Sequence, residues 1–170
     1  KRDWSSDVCS SDLEAHAAWA KWTYERFDRE FDKWMRGRVP TIKDSELTEE
    51  LIADKNLILF GDPSSNAIIA RVYKSLPLRW TQETLEVAAK DYSPETHGVS
   101  LIYPNPLNPR RYVVINSGHT MHDPEFIGTN ALLFPRLGDI AVQKFTPIKE
   151  QFVETTVWAT SFDSKWKLPK

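Results

Sequence analysis

"LILFGDPSSNAIIA", residues 57–70, is the stretch on which the fold reading turns. An apolar run stops at Gly61-Asp62-Pro63-Ser64-Ser65-Asn66, and a second apolar run begins. That pattern predicts a strand over residues 56–61, a tight turn, and a helix from about Ser65 to Leu76. Ile68, Ile69, Val72 and Leu76 recur at helical spacing, and Pro77 ends the helix. A strand apolar at each position from Leu57 to Phe60 is usually covered on both faces, which is the habit of α/β sheets.

The turn has its own chemistry. Gly61 permits a backbone conformation closed to other residues, Pro63 presets a turn, and Ser64 or Ser65 can cap the helix. A helix N-terminus after a strand can hold an anion, through free N–H groups and the positive end of the dipole. Here the phosphate fingerprints are missing: there is no Gly-x-Gly-x-x-Gly and no Gly-Lys-Ser/Thr at a Walker spacing. Asp62 also places negative charge where a phosphate would arrive. The turn therefore reads as structural capping, with a neutral or carbonyl-bearing ligand as the alternative.

Upstream, residues 14–36 read as a long amphipathic helix, ended by Gly37 and Pro40. Ala20, Tyr24, Phe27, Phe31 and Trp34 fall on one face, and Trp19 and Trp22 widen it. Residues 14–40 are read as a linker helix packed on its own domain, with a face partly made for a missing neighbour domain as the alternative. A short helix capped by Asp44 or Ser45 is expected within residues 41–55. Residues 41–170 are read as a single α/β domain.

Residues 3–13, "DWSSDVCSSDL", contain a near-repeat and resemble a translated sequencing adapter. Residues 1–13 are accordingly read as an artefactual, disordered tail, with upstream coding content missing. Cys9, the only cysteine, leaves with that tail, so neither a disulfide nor a thiol nucleophile is expected.

Downstream, "GVSLIYP", "RRYVVINSG", "DIAVQKF" and "FVETTVWATSFD" read as strands, with weaker ones near Leu78–Trp80 and Thr84–Ala89. "NPLNP", with Pro106 and Pro109 after Pro104, reads as a rigid extended loop, a simple connector or, as the alternative, a cleft lining to which Asn105 and Asn108 offer polar arms. The fold expected is a layered α/β domain with a mixed, mainly parallel sheet, Rossmann-like or flavodoxin-like, preceded by the long helix.

Composition excludes several classes. The formal net charge of the 170 residues is −2, which gives no nucleic-acid footprint. No apolar run is long enough for a membrane span, and no signal peptide is visible. No cofactor fingerprint is found and none is expected.

Three constellations remain as candidate sites. His119 and His122, with Asp123 and Glu125 after them, contain metal-ligand types, but loop spacing guarantees no shared face, and no metal is assigned. Asp62 and His119 each follow a strand, as the acid and the histidine of a split serine-hydrolase triad would; no Gly-x-Ser-x-Gly nucleophile motif is present. The third is a ligand or peptide site at the strand ends, formed by Gly61, Ser64, Ser65, Asn66, Asn105, Asn108, Ser117 and His119.

"NLILFGDPSSNAIIARV", "LIYPNPLNPRRYVVINSGHT" and "GTNALLFPRLGDIAV" together resemble the C-terminal region of large bacterial, Planctomycetes-type proteins of the prolyl-oligopeptidase-like serine peptidase family. The resemblance runs from about Ala18 to Leu168. It implies an exported, secreted or periplasmic parent whose α/β-hydrolase domain lies upstream and carries its own triad. The present chain would be a non-catalytic accessory domain packing on that hydrolase domain through the aromatic helix. No catalytic residue of the family carries over, because no position here matches a nucleophile motif.

Overall fold

The computed structural model describes residues 14–117 and 138–169. Residues 1–13, and with them the expected tail, lie outside the described residues, as do His119 and His122.

The expected helix forms over Glu14–Met35 (α1). Its buried face is His16, Trp19, Ala20, Thr23, Phe27 and Glu30, while Tyr24 and Phe31 are only half-buried. The buried stripe is thus rotated from the expected one, because Trp19 rather than Tyr24 points into the fold. A six-residue helix, Glu49–Asp54 (α2), is capped by the Thr48 side chain, which accepts from Leu51 N–H. Asp44 instead opens a single 3-10 turn, Asp44–Glu46.

Strand β1 (Leu57–Leu59) leads through the Gly61–Asn66 turn into the short helix α3 (Ala67–Val72). Then come β2 (Arg79–Trp80), β3 (Leu85–Val87) and β4 (Lys90–Tyr92), which form a three-stranded antiparallel sheet. Four longer strands follow: β5 (His97–Asn105), β6 (Asn108–Ile115), β7 (Ile140–Ile148) and β8 (Gln151–Thr160). With β1 they make a five-stranded sheet in the order β1-β6-β5-β7-β8.

That sheet corrects the expected mainly parallel, Rossmann-like or flavodoxin-like architecture. Among the described strands only β1 and β6 pair in parallel; β6–β5, β5–β7 and β7–β8 are antiparallel. The reason lies in the connections. A parallel neighbour needs a crossover of a dozen residues or more, whereas an antiparallel one needs only a tight turn. Asn105 pairs with Asn108, so Pro106 and Leu107 form a two-residue hairpin turn, not an extended loop. Asn105 Oδ1 accepts from Leu107 N–H at 2.9 Å and closes that turn. The β7–β8 connection is equally short, with Lys149 in the left-handed region at φ 58°.

The main core joins Ile68, Ile69 and Val72 of α3 to Leu57 and Leu59, Val99 and Leu101, Val113 and Ile115, and Ile140 and Val142 of the large sheet. Trp80, Leu85 and Val87 of the small sheet complete it. A second cluster lies under α1: Trp19 and Ala20 against Phe145, with Trp22 on Phe152. Trp19 stacks on Phe145 with ring centroids 4.9 Å apart. Trp19 also covers Gly98, where an added Cβ would fall 2.2 Å from its ring. Arg26 reaches Glu154 at 2.6 Å, and Glu154 also accepts from Trp19 Nε1. The expected linker helix is therefore packed on its own sheet. Among the described residues no helix is long and apolar enough to cross a membrane.

Candidate functional site

Parallel pairing brings the C-terminal ends of β1 and β6 side by side, so the turns that leave them meet. Gly61 has φ 123°, and an added Cβ there would lie 2.7 Å from Ser65 Oγ. Both conditions demand glycine. The Gly61 N–H donates to Asn116 Oδ1, and Asn116 Nδ2 donates back to the Gly61 carbonyl, each at 2.8 Å. The Asn116 N–H donates to the Leu59 carbonyl at 2.8 Å, continuing the β1–β6 ladder by one rung. Ser100 Oγ donates to the Asn116 carbonyl at 3.0 Å. Asn116 itself sits in the left-handed region at φ 46°, a conformation asparagine tolerates better than most residues. Its side chain works as a two-pronged clamp across 55 residues of chain.

Asp62 is buried, with 1% exposure. Its Oδ1 accepts from Ser64 N–H at 2.7 Å, from Ser64 Oγ at 2.6 Å and from Ser65 N–H at 2.9 Å. Its own N–H donates to Ser65 Oγ at 2.9 Å. Burial opposes ionisation of this carboxyl. The bonds from Ser64, the nearby His16 and the Ser65 N–H outweigh burial and hold it below the ordinary carboxylate range.

The other oxygen, Oδ2, lies 3.4 Å from His16 Nδ1. His16 is fully buried, edge-on to Trp19, Trp80 and Phe145 with centroids 5.2, 5.8 and 5.8 Å away. Burial in that aromatic box pushes its pKa down to about 4, although the Asp62 charge pulls the other way. At neutral pH the pair is a neutral imidazole beside a carboxylate. Neither ring nitrogen has an aligned hydrogen bond among the described residues.

The α3 N-terminus is filled by protein groups. Asn66, not Ser64 or Ser65, is the cap: its Oδ1 accepts from Ile68 N–H at 3.0 Å and Ile69 N–H at 3.1 Å. The Ala67 N–H is taken by the Asp44 carboxylate at 2.6 Å. An incoming anion would have to displace both. Asn66→Ala is expected to cost about 1–2 kcal/mol, as loss of an asparagine cap usually does, measured by urea unfolding. Ser64→Ala is expected to cost less, because Asp62 keeps its backbone donors.

The residues expected to form one ligand site fall into two groups. Gly61, Ser64, Ser65 and Asn66 share the end of the sheet reached by Asn116 and Ser117. Asn105 and Asn108 flank the hairpin turn at the opposite end of β6, a strand of 8 residues. That separation is on the order of 25 Å at strand rise, against roughly 10 Å across for an ordinary small-molecule cavity. Asn108 is committed elsewhere, with Nδ2 donating to the Ala53 carbonyl at 2.7 Å. His119 and His122 lie outside the described residues. Among the described residues no three His, Cys, Asp or Glu side chains come together as a metal site.

Two residues central to this junction, His16 and Asn116, had no place in the sequence reading. For Asn116 the signal was present: an asparagine ends the "VVIN" strand and precedes Ser-Gly, a place for a left-handed residue. His16 carried no signal, since its partner is 46 positions away in the chain. No family model, curated protein or solved structure matches the chain.

Proposed function

We propose that this chain is a non-catalytic accessory domain of a secreted or periplasmic serine peptidase or hydrolase-like protein, serving to pack beside an upstream hydrolase domain. The observation that supports this reading is the commitment of Asp62. One carboxylate oxygen is held by the N–H and hydroxyl groups of Ser64 and Ser65 in its own turn, and the other faces a buried imidazole of α1. A triad acid instead turns an oxygen towards a histidine that meets a nucleophile at the surface. Trp19 and Trp22 of α1 pack on Phe145 of β7 and Phe152 of β8, and Tyr24 and Phe27 on Phe60, so docking on a neighbour would use surfaces other than these rings.

A ligand-binding module is the second reading, favoured by the convergence of the Gly61–Asn66 turn with Asn116 and Ser117. Asn105 and Asn108 do not belong to such a site.

The test is turnover of p-nitrophenyl esters and peptides by the full chain, with a fluorophosphonate probe for an activated serine. Neither turnover nor labelling is expected. Turnover that disappears in both His119→Ala and Asp62→Ala would overturn the accessory reading in favour of a split triad.

A further inference from the structure

We propose that α1 is a proton-released latch, docked on the sheet while His16 is neutral and let go when His16 takes a proton, with the strands left intact.

Three observations carry this. First, His16 sits fully buried between Trp19 of its own helix, Trp80 of β2, Phe145 of β7 and the Asp62 turn. Asp62 is the one charged group among the described residues that acts on it. Placing a proton there puts charge into an aromatic enclosure that faces it with a single carboxylate oxygen. Second, α1 is joined to the sheet by side chains alone. Trp19 on Phe145, Phe27 on Phe60 and Arg26 on Glu154 are its anchors. Among the described residues no backbone hydrogen bond links α1 to a strand, so the helix can leave without breaking a ladder. Third, the Asp62 carboxylate accepts from Ser64 and Ser65 within its own turn, and those bonds do not pass through α1, so the turn keeps them when the helix goes.

The direction follows from proton linkage. In the released helix His16 titrates near its ordinary 6.5, and in the docked helix near 4. Between those values the released form binds more protons, so acid favours release. Docking is undiminished above 6.5 and weakens as pH falls towards 4. Relative to pH 7.0, those two values make the opening constant rise ~8-fold at pH 5.5 and roughly 60-fold at pH 4.5. Release would uncover the apolar surface of Gly98, Phe145 and Phe152.

Hydrogen exchange on the full chain, read as protection factors so that the intrinsic pH dependence cancels, tests this at pH 7.0, 5.5 and 4.5. Peptides from α1 are expected to lose protection by those factors, while β5 and β6 peptides keep theirs. His16→Gln is expected to flatten the α1 response. Equal loss in α1 and the strands would overturn the latch, since the helix would then not open alone. So would an unchanged response in His16→Gln. Should that variant fail to fold, the His16 ring followed by NMR in the unaltered protein decides the matter: titration near 6.5 with α1 still protected contradicts the proposal.

Discussion

Trp19→Ala is expected to destabilise the fold by about 3–5 kcal/mol, the range for removing a fully buried tryptophan. The ring contributes in three ways. It stacks on Phe145, it covers the bare backbone of Gly98, and its Nε1 donates to Glu154 at 2.6 Å. Truncation leaves a cavity under α1 and removes one of the donors that hold Glu154. Chemical denaturation gives the number directly, as a lower midpoint at unchanged slope.

The same contact predicts a strong coupling. Gly98→Ala puts a methyl group within 2.2 Å of the Trp19 ring, which has to move. About 1–3 kcal/mol is expected, as for other overpacked positions. In the Trp19→Ala background the same change is expected to be nearly neutral, because the clashing ring is gone. A double-mutant cycle reads that difference as a coupling energy of about 1–3 kcal/mol. Additive effects would mean that Trp19 does not rest on Gly98.

The second large effect is expected at Asn116. Asn116→Ala removes both prongs of the clamp and leaves the buried Gly61 N–H and carbonyl unpaired. Each orphaned group costs roughly 1–3 kcal/mol, so a total on the order of 3 kcal/mol is expected. Asn116→Gly relieves the left-handed backbone at φ 46° but loses the same bonds, so it is expected to recover only a small part. Asn116→Asp keeps the acceptor and loses the Nδ2 donor, and is expected to fall between wild type and alanine.

What could be read from the chain and what could not divides along local and long-range physics. β1 and α3 were legible in residues 57–70 because apolar runs and turn residues are local signals. β8 was legible in "FVETTVWATSFD" because its alternation survives in the structure, residue by residue half-buried and exposed. The extent of α1 was legible from its spacing, but its buried face was misplaced, since only tertiary contact distinguishes Trp19 from Tyr24. The sheet went wrong at "YPNPLNP". Prolines argue against strand interiors, yet Pro104 lies in β5 and pairs with Tyr112 at a register shift, and Pro109 lies near the start of β6. A hairpin there, instead of a loop, reverses the strand direction and with it the fold class. The candidate site was half legible. Gly61 and Asp62 stood out as turn residues, but their partners Asn116 and His16 lie far away in sequence. No periodicity links such pairs.

The opposing roles of Asp62 give the account its sharpest test. As a structural acid it holds the Gly61–Asn66 turn, and as a triad acid it would be needed for turnover. The most direct measurement is ester and peptide turnover by the full chain beside its Asp62→Asn variant, with thermal unfolding followed on the same samples. The account predicts no turnover from either protein and a clear loss of stability in the variant, through weakened bonds from Ser64 and Ser65. Turnover by the unaltered chain that vanishes in Asp62→Asn, with stability unchanged, would contradict it.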